Sequence, residues 1–81
     1  MTLDEKKELV EEAERMLLLS HSVISSMAKS ADRIKRGLDD APDAYTCALC
    51  QNAMELCKMR ARQLDNYMTA YRNILEKLAK G

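Results

Sequence analysis

The sequence of 81 residues has no phenylalanine, no tryptophan, two glycines and a single proline. A sheet of many strands needs frequent turn residues, so this shortage excludes most all-β folds. Phosphate-binding loops rich in glycine are excluded as well, because Gly37 and Gly81 are the only glycines. The formal net charge is zero, so no overall basic field attracts nucleic acid. A small helical protein is the simplest interpretation that remains.

The chain shows no segment suited to secretion or to membrane insertion. Residues 1–14 carry six acids and two lysines, whereas a signal peptide begins with basic residues and continues with apolar ones. The longest stretch without Asp, Glu, Lys or Arg covers residues 16–28, which is shorter than the roughly 20 apolar residues of a spanning helix. Three cysteines without a secretion signal fit free thiols in a reducing compartment. We therefore predict a cytoplasmic protein that does not bind membranes.

The apolar pattern predicts two long helices that form a single domain over residues 1–81. The first helix covers about residues 3–37, where Thr2 and Glu5 fit a capping box at its start and Gly37 suits its end. The turn covers about residues 38–43 and contains Pro42, and the second helix runs over about residues 44–79. Because so short a turn makes the helices antiparallel neighbours, the predicted fold class is an all-α, coiled-coil-like two-helix hairpin.

A repeat of seven residues marks the predicted contact seam on each helix. The seam of the first helix combines two positions of this repeat: Leu3, Val10, Leu17, Ile24, Ala31 and Leu38 with Ala13, Ser20, Met27 and Ile34. The seam of the second helix alternates spacings of three and four: Cys47, Cys50, Met54, Cys57, Ala61, Leu64, Met68, Tyr71, Leu75 and Leu78. This alternation is the pattern of a coiled-coil seam.

Both helices carry more apolar surface than one seam uses, which indicates burial against further helices. A domain of this size is also rarely stable on a single seam. We therefore predict a homodimer or larger assembly that forms a four-helix bundle, or a complex with a helical protein partner. The predicted partner-binding residues lie outside the seams: Met16, Leu18, Val23, Leu49, Leu56 and Met59.

The sequence predicts binding rather than catalysis. His21 is the only histidine, and although Ser25 follows it by one helical turn, no oxyanion-stabilising feature accompanies the pair. We predict no catalytic residue and no cofactor. The favoured function is a small adaptor, chaperone-like subunit or inhibitor that acts through helix–helix contacts.

Two other functions remain open from the sequence. Basic residues cluster at positions that include Arg33, Arg36, Arg60 and Arg62, and such helix faces can bind nucleic-acid phosphates. An equal number of acids elsewhere and the lack of interleaved aromatic residues make this the second choice. The nucleic-acid alternative is a helical-bundle dimer.

The third alternative is a zinc or copper site. Cys47 and Cys50 form a C-x-x-C pair, and two thiols at this spacing on a helix can share a soft metal ion. A complete set of ligands would need a second subunit. Cysteine is also a common buried small residue, so we favour packing as the role of the pair and predict no bound metal.

Overall fold

A computed structural model describes the backbone of residues 1–40 and 44–81 and the side chains of residues 1–39 and 48–81. Helix α1 spans Leu3–Asp40 and helix α2 spans Ala44–Lys80, and the two pack against each other along their length. The hairpin measures 60 × 14 × 13 Å between Cα atoms, as expected for about 1.5 Å of rise per helical residue. No strand occurs in the described ranges. The predicted all-α hairpin is confirmed.

The start of α1 is capped by the predicted threonine. The backbone N–H of Glu5 donates a hydrogen bond to Thr2 Oγ1 at 3.2 Å, which satisfies one of the N–H groups that a helix start leaves free. At the end of the second helix, Lys77 and Lys80 lie in the last turn of α2. Their positive charges are favourable there because the helix dipole is negative at its carboxyl end.

Helix α1 runs to Asp40, three residues beyond the predicted end at Gly37. Gly37 is half-buried and lines a cleft together with Cys50 of α2. It therefore contributes a small residue to the helix pair instead of a helix stop. The predicted turn residue Pro42 lies outside the described residues.

Two positions of the seven-residue repeat form the contact between the helices. We label the repeat a to g, with Ala13 at position a of α1 and Cys50 at position a of α2. The half-buried and buried residues then fall at a and d, apart from Ser26 and Ala70 at g. In α1 they are Lys6, Leu9, Ala13, Met16, Ser20, Val23, Met27, Ser30, Ile34 and Gly37. In α2 they are Cys50, Ala53, Cys57, Arg60, Leu64, Tyr67, Tyr71, Ile74 and Leu78.

The predicted seams are therefore half wrong. Position a was assigned correctly on both helices, but its predicted companions occupy position e, which lies beside the contact. Leu3 is 67% exposed and Ile24 is 51% exposed, while Val23 is 5% exposed. The physical reason is that d and e both flank position a, so apolar side chains at d, such as the buried Val23 and Ile74, can take the place in the contact that the predicted seams gave to e.

Polar groups inside the contact find partners within the chain. Ser20 is 4% exposed, and its hydroxyl donates a hydrogen bond to the carbonyl oxygen of Met16 at 2.8 Å. The thiol of Cys50 lies 3.8 Å from the carbonyl oxygen of Ile34, across the helix pair. Among the described side chains, no buried nitrogen or oxygen lacks a hydrogen-bond partner.

Candidate functional site: the open face

Apolar side chains occupy position e along both helices and remain exposed. Position e follows a by four residues, which is about 40° around the helix, so it lies beside a at the edge of the contact. The eight large side chains at this position in the described ranges are between 37% and 67% exposed. We call this surface the open face. It consists of Leu3, Val10, Leu17, Ile24, Ala31, Leu38, Met54, Ala61, Met68 and Leu75.

The e positions of the two helices lie on the same side of the hairpin. An antiparallel helix pair has an approximate two-fold axis perpendicular to the plane of its helix axes. Rotation about that axis exchanges the two helices but does not exchange the two faces of the hairpin. A given heptad position therefore lies on the same face in both helices. The cleft near the turn illustrates this for position g, since Arg33 of α1 lines it together with Leu49 and Leu56 of α2. Position e of both helices must then lie on the opposite side.

We call the side that contains position g the grooved face. A cleft of about 450 Å³ lies there, lined by Ser30, Arg33, Arg36, Gly37, Leu49, Cys50, Asn52, Ala53 and Leu56. A second groove of about 420 Å³ is lined by Leu56, Met59, Arg60, Arg62, Gln63 and Asn66. Charged and polar residues such as Glu12 and Gln63 interrupt position g, so the grooved face is less apolar than the open face.

The structure divides the six predicted partner-binding residues into two groups. Val23 is 5% exposed and Met16 is half-buried, because α2 of the same chain covers both. These two are therefore removed from the candidate binding surface. Leu18, Leu49, Leu56 and Met59 are exposed as expected, but none of them lies on the open face.

The open face was visible in the sequence as a repeat, yet it was assigned to the wrong neighbour. Leu3, Val10 and Leu17 begin a series of apolar residues spaced by seven, and the predicted seam placed this series against α2. A signal for the correct choice existed in the apolar residues at position d, namely Leu9, Met16 and Val23. Their spacing to position a matches a heptad seam equally well.

The four predicted nucleic-acid-binding arginines lie near one another along the grooved face. Arg33 and Arg36 line the larger cleft, and Arg60 and Arg62 line the second groove. Both grooves are also lined by Leu56, so the two pairs are neighbours. Arg60 is half-buried at position d, and Arg36 forms an exposed ion pair of 3.0 Å with Asp32.

The cysteines show no gathering of metal ligands in the part of the chain that is described. Cys50 is buried against α1 and Cys57 is half-buried at the same heptad position. No group of three or more His, Cys, Asp or Glu side chains within the described ranges could hold a metal ion. The side chain of Cys47, the other member of the predicted pair, lies outside the described residues.

His21 is exposed on the outer surface of α1, at position b next to the open face. Neither helix, over its described length, combines the length and apolar character needed to cross a membrane. Comparison with protein-family models, with curated proteins and with solved structures finds no match to this chain. Function is therefore inferred from the geometry of the hairpin itself.

Proposed function

We propose that the protein is a non-enzymatic interaction module that binds through helix–helix contacts, with the open face as its main binding surface. The observation that supports this proposal is the distribution of apolar side chains. Among the described residues, four apolar side chains are buried, whereas the open face alone exposes eight large ones. Contiguous exposed apolar surface of this kind marks a protein–protein contact.

The total surface supports the same conclusion. The chain exposes 6280 Å² of accessible surface, while a compact monomer of this mass exposes about 4,900 Å². The excess of roughly 1,400 Å² is larger than the approximately 800 Å² that each partner buries in a standard interface. Two further helices laid on the open face would cover this surface and complete a four-helix bundle, in which side chains at a and e form the centre.

An adaptor, chaperone-like or inhibitory role in the cytoplasm fits this surface better than catalysis. An apolar helix face recognises another helix through side chains spaced by three, four and seven residues. Met54 and Met68 on the open face, together with leucines, give a surface that can adjust its packing to a helical partner. We propose no catalytic residue and no cofactor.

Neighbouring leucines give a closely matched test. Leu17 belongs to the open face, whereas Leu18 points away from it and is 72% exposed. We expect Leu17→Asp to abolish assembly, because a charge would be buried without a partner. Leu18→Asp makes the same chemical change and should leave assembly intact.

The measurement is sedimentation velocity of the labelled chain, first in buffer and then in an extract of its native host. The expected result is a species larger than 9.2 kDa in at least one of these conditions, lost in Leu17→Asp only. A folded 9.2 kDa monomer in both conditions would contradict the proposal. Equal loss of assembly in both variants would remove the open face as the binding surface.

A second candidate function uses the grooved face. Because Leu56 lines both grooves, Arg33, Arg36, Arg60 and Arg62 lie along one side of the molecule and leave the open face free. Such a row of guanidinium groups can contact nucleic-acid phosphates, and binding should then weaken steeply with salt. Gel shifts at low salt with duplex DNA and structured RNA test this, with Arg33→Glu and Arg62→Glu as loss variants. Absence of micromolar binding would exclude this candidate.

A further inference from the structure

We propose that the occupant of the open face is a second copy of this chain, placed so that both turns lie at the same end of the assembly. This inference rests on the proposed function, and it adds the identity of the partner and the direction of the two hairpins. Three observations support it: the area of the face, the direction of the half-buried side chains, and the charges along its edges.

The area matches what a stable dimer needs. The hairpin is 60 Å long and 14 Å wide between Cα atoms, so one face has a footprint of about 800 Å², which is the contribution of each partner to a standard interface. A second hairpin has the same length and width, so it covers the open face from end to end. A single helix would cover only part of its width.

The half-buried residues at position a indicate where the remaining helices lie. Ile34, Leu64 and Tyr71 contact the opposite helix but are not fully covered by it. Position a lies between d and e on the helix surface, so these side chains are exposed on the side of the open face. A second hairpin on that face would bury them, and positions a and e of all four helices would form one continuous core.

Residues at position b form the edges of the open face. Their charges distinguish a second copy whose turn lies at the same end from one whose turn lies at the opposite end. Ser20 contacts Met68, and Cys50 contacts Ile34. A residue of α1 therefore lies at the same height along the hairpin axis as the residue of α2 for which the two residue numbers add up to about 86. When both turns lie at the same end, α1 runs beside α2 of the second copy at unchanged heights. The same sum then identifies the residues that meet across the dimer.

Opposite or complementary groups meet in this arrangement. Glu14 lies beside Arg72 of the second copy, and His21 lies beside Asp65 of the second copy, where the imidazole N–H can donate to the carboxylate. Each pair occurs twice because of the two-fold symmetry. The lysines at position b meet uncharged residues, so no like charges face each other along these edges.

Like charges meet when the turns lie at opposite ends. Each helix then runs beside its own copy, reversed about its middle. Lys7 lies beside Lys35 of the second copy, Lys58 beside Arg72, and Asp65 beside its own equivalent. Facing like charges are unfavourable, so the edge residues select the same-end arrangement.

A charge exchange between the two copies tests both the partner and its direction. The variants are Glu14→Arg and Arg72→Glu, which change exposed residues and should leave each hairpin folded. In a dimer of either variant with itself, residues 14 and 72 carry like charges at both of the places where they meet. The dissociation constant of each variant alone should therefore rise by on the order of tenfold. An equimolar mixture should recover wild-type affinity, because in the mixed dimer every altered residue meets an opposite charge.

Sedimentation equilibrium over a range of micromolar concentrations provides the readout, with Glu8→Arg as the matched control on the side of α1 away from the open face. A dimer that tightens in Arg72→Glu alone would overturn the same-end direction, since the introduced carboxylate would then face Lys58 of the second copy. A wild-type monomer at every concentration would overturn the second copy as the occupant. That result would leave the proposed function open to its own test with Leu17→Asp in host extract.

Discussion

The hydroxyl of Ser20 in α1 lies 3.6 Å from the sulfur of Met68 in α2, although 48 residues separate them in the sequence. Ser20 is buried at position a, and Met68 extends over it from position e. The small serine leaves room for the methionine side chain at the edge of the contact. The helix pair is therefore close at Ser20, and the apolar atoms of Met68 form part of the open face.

This relationship predicts opposite effects of two substitutions at Ser20. Ser20→Leu should lower the free energy of unfolding by about 1–3 kcal/mol, because the added carbons have no space in a packed contact. Ser20→Ala should be neutral or slightly stabilising, because alanine is the better helix former and the hydroxyl's shorter hydrogen bond, to the carbonyl oxygen of Met16, lies within its own helix. The sulfur of Met68, at 3.6 Å, is only a weak acceptor, so the loss of that contact costs little. Urea denaturation at fixed protein concentration measures both. Ser25→Leu, an exposed position, is the control, and a stable Ser20→Leu variant would contradict the observed packing.

Adjacent residues of α2 should affect different equilibria. Ile74 is 4% exposed inside the hairpin, so Ile74→Ala should lower the stability of the hairpin by about 2–4 kcal/mol through the cavity it leaves. Leu75 is 44% exposed on the open face, so Leu75→Ala should chiefly weaken assembly. Thermal unfolding at several protein concentrations separates the two, because the midpoint depends on concentration only where unfolding is linked to association. Indistinguishable behaviour of the two variants would count against the assignment of their faces.

The cap of α1 predicts a local effect at the start of the chain. Thr2→Ala removes the acceptor for the N–H of Glu5 and should reduce stability by about 1 kcal/mol. Hydrogen exchange should become faster in the first turn of α1 and remain unchanged near Val23. Thr2→Ser keeps a hydroxyl acceptor and should behave as the wild type, and an equal loss in both variants would show that the hydroxyl is not the stabilising group.

The burial of Cys50 in the helix contact leads us to expect that the purified protein contains no stoichiometric metal. Cys50 is buried against α1 with its sulfur 3.8 Å from the carbonyl oxygen of Ile34, which suits a cysteine that packs as a small apolar residue. Elemental analysis should find well under one zinc, copper or iron per two chains. About one metal per dimer, lost in Cys50→Ser but retained in Cys57→Ser, would instead support the C-x-x-C pair as a metal site formed between subunits.

Much of the fold follows from the sequence alone. The long heptad patterns, the scarcity of glycine and proline, and the Thr2 cap predict two helices and one turn, because these are local properties of the chain. The structure confirms both helices, with α1 ending at Asp40 instead of Gly37. Helix ends are harder to predict than helix interiors, since a glycine such as Gly37 can also serve close packing between helices.

The sequence could not decide which apolar stripe faces the second helix. Position a combines with d or with e into equally regular seams, and both combinations include large apolar residues such as Val23 at d and Ile24 at e. Rotating a helix by less than a quarter turn exchanges one seam for the other. The choice depends on how the side chains of both helices fit together, and in the structure those at d, such as Val23 and Ile74, are the ones that the facing helix buries.

The sequence by itself therefore determined that two long helices carry more apolar surface than one contact can bury, because helical periodicity and composition are encoded locally. The tertiary structure alone decided which apolar side chains are buried and which are left exposed. It placed Val23 inside the hairpin and left Leu17 and Ile24 on the open face. The reason is that a side chain at the edge of a seam has no preference until the neighbouring helix is in position, and close packing then selects one rotation of each helix.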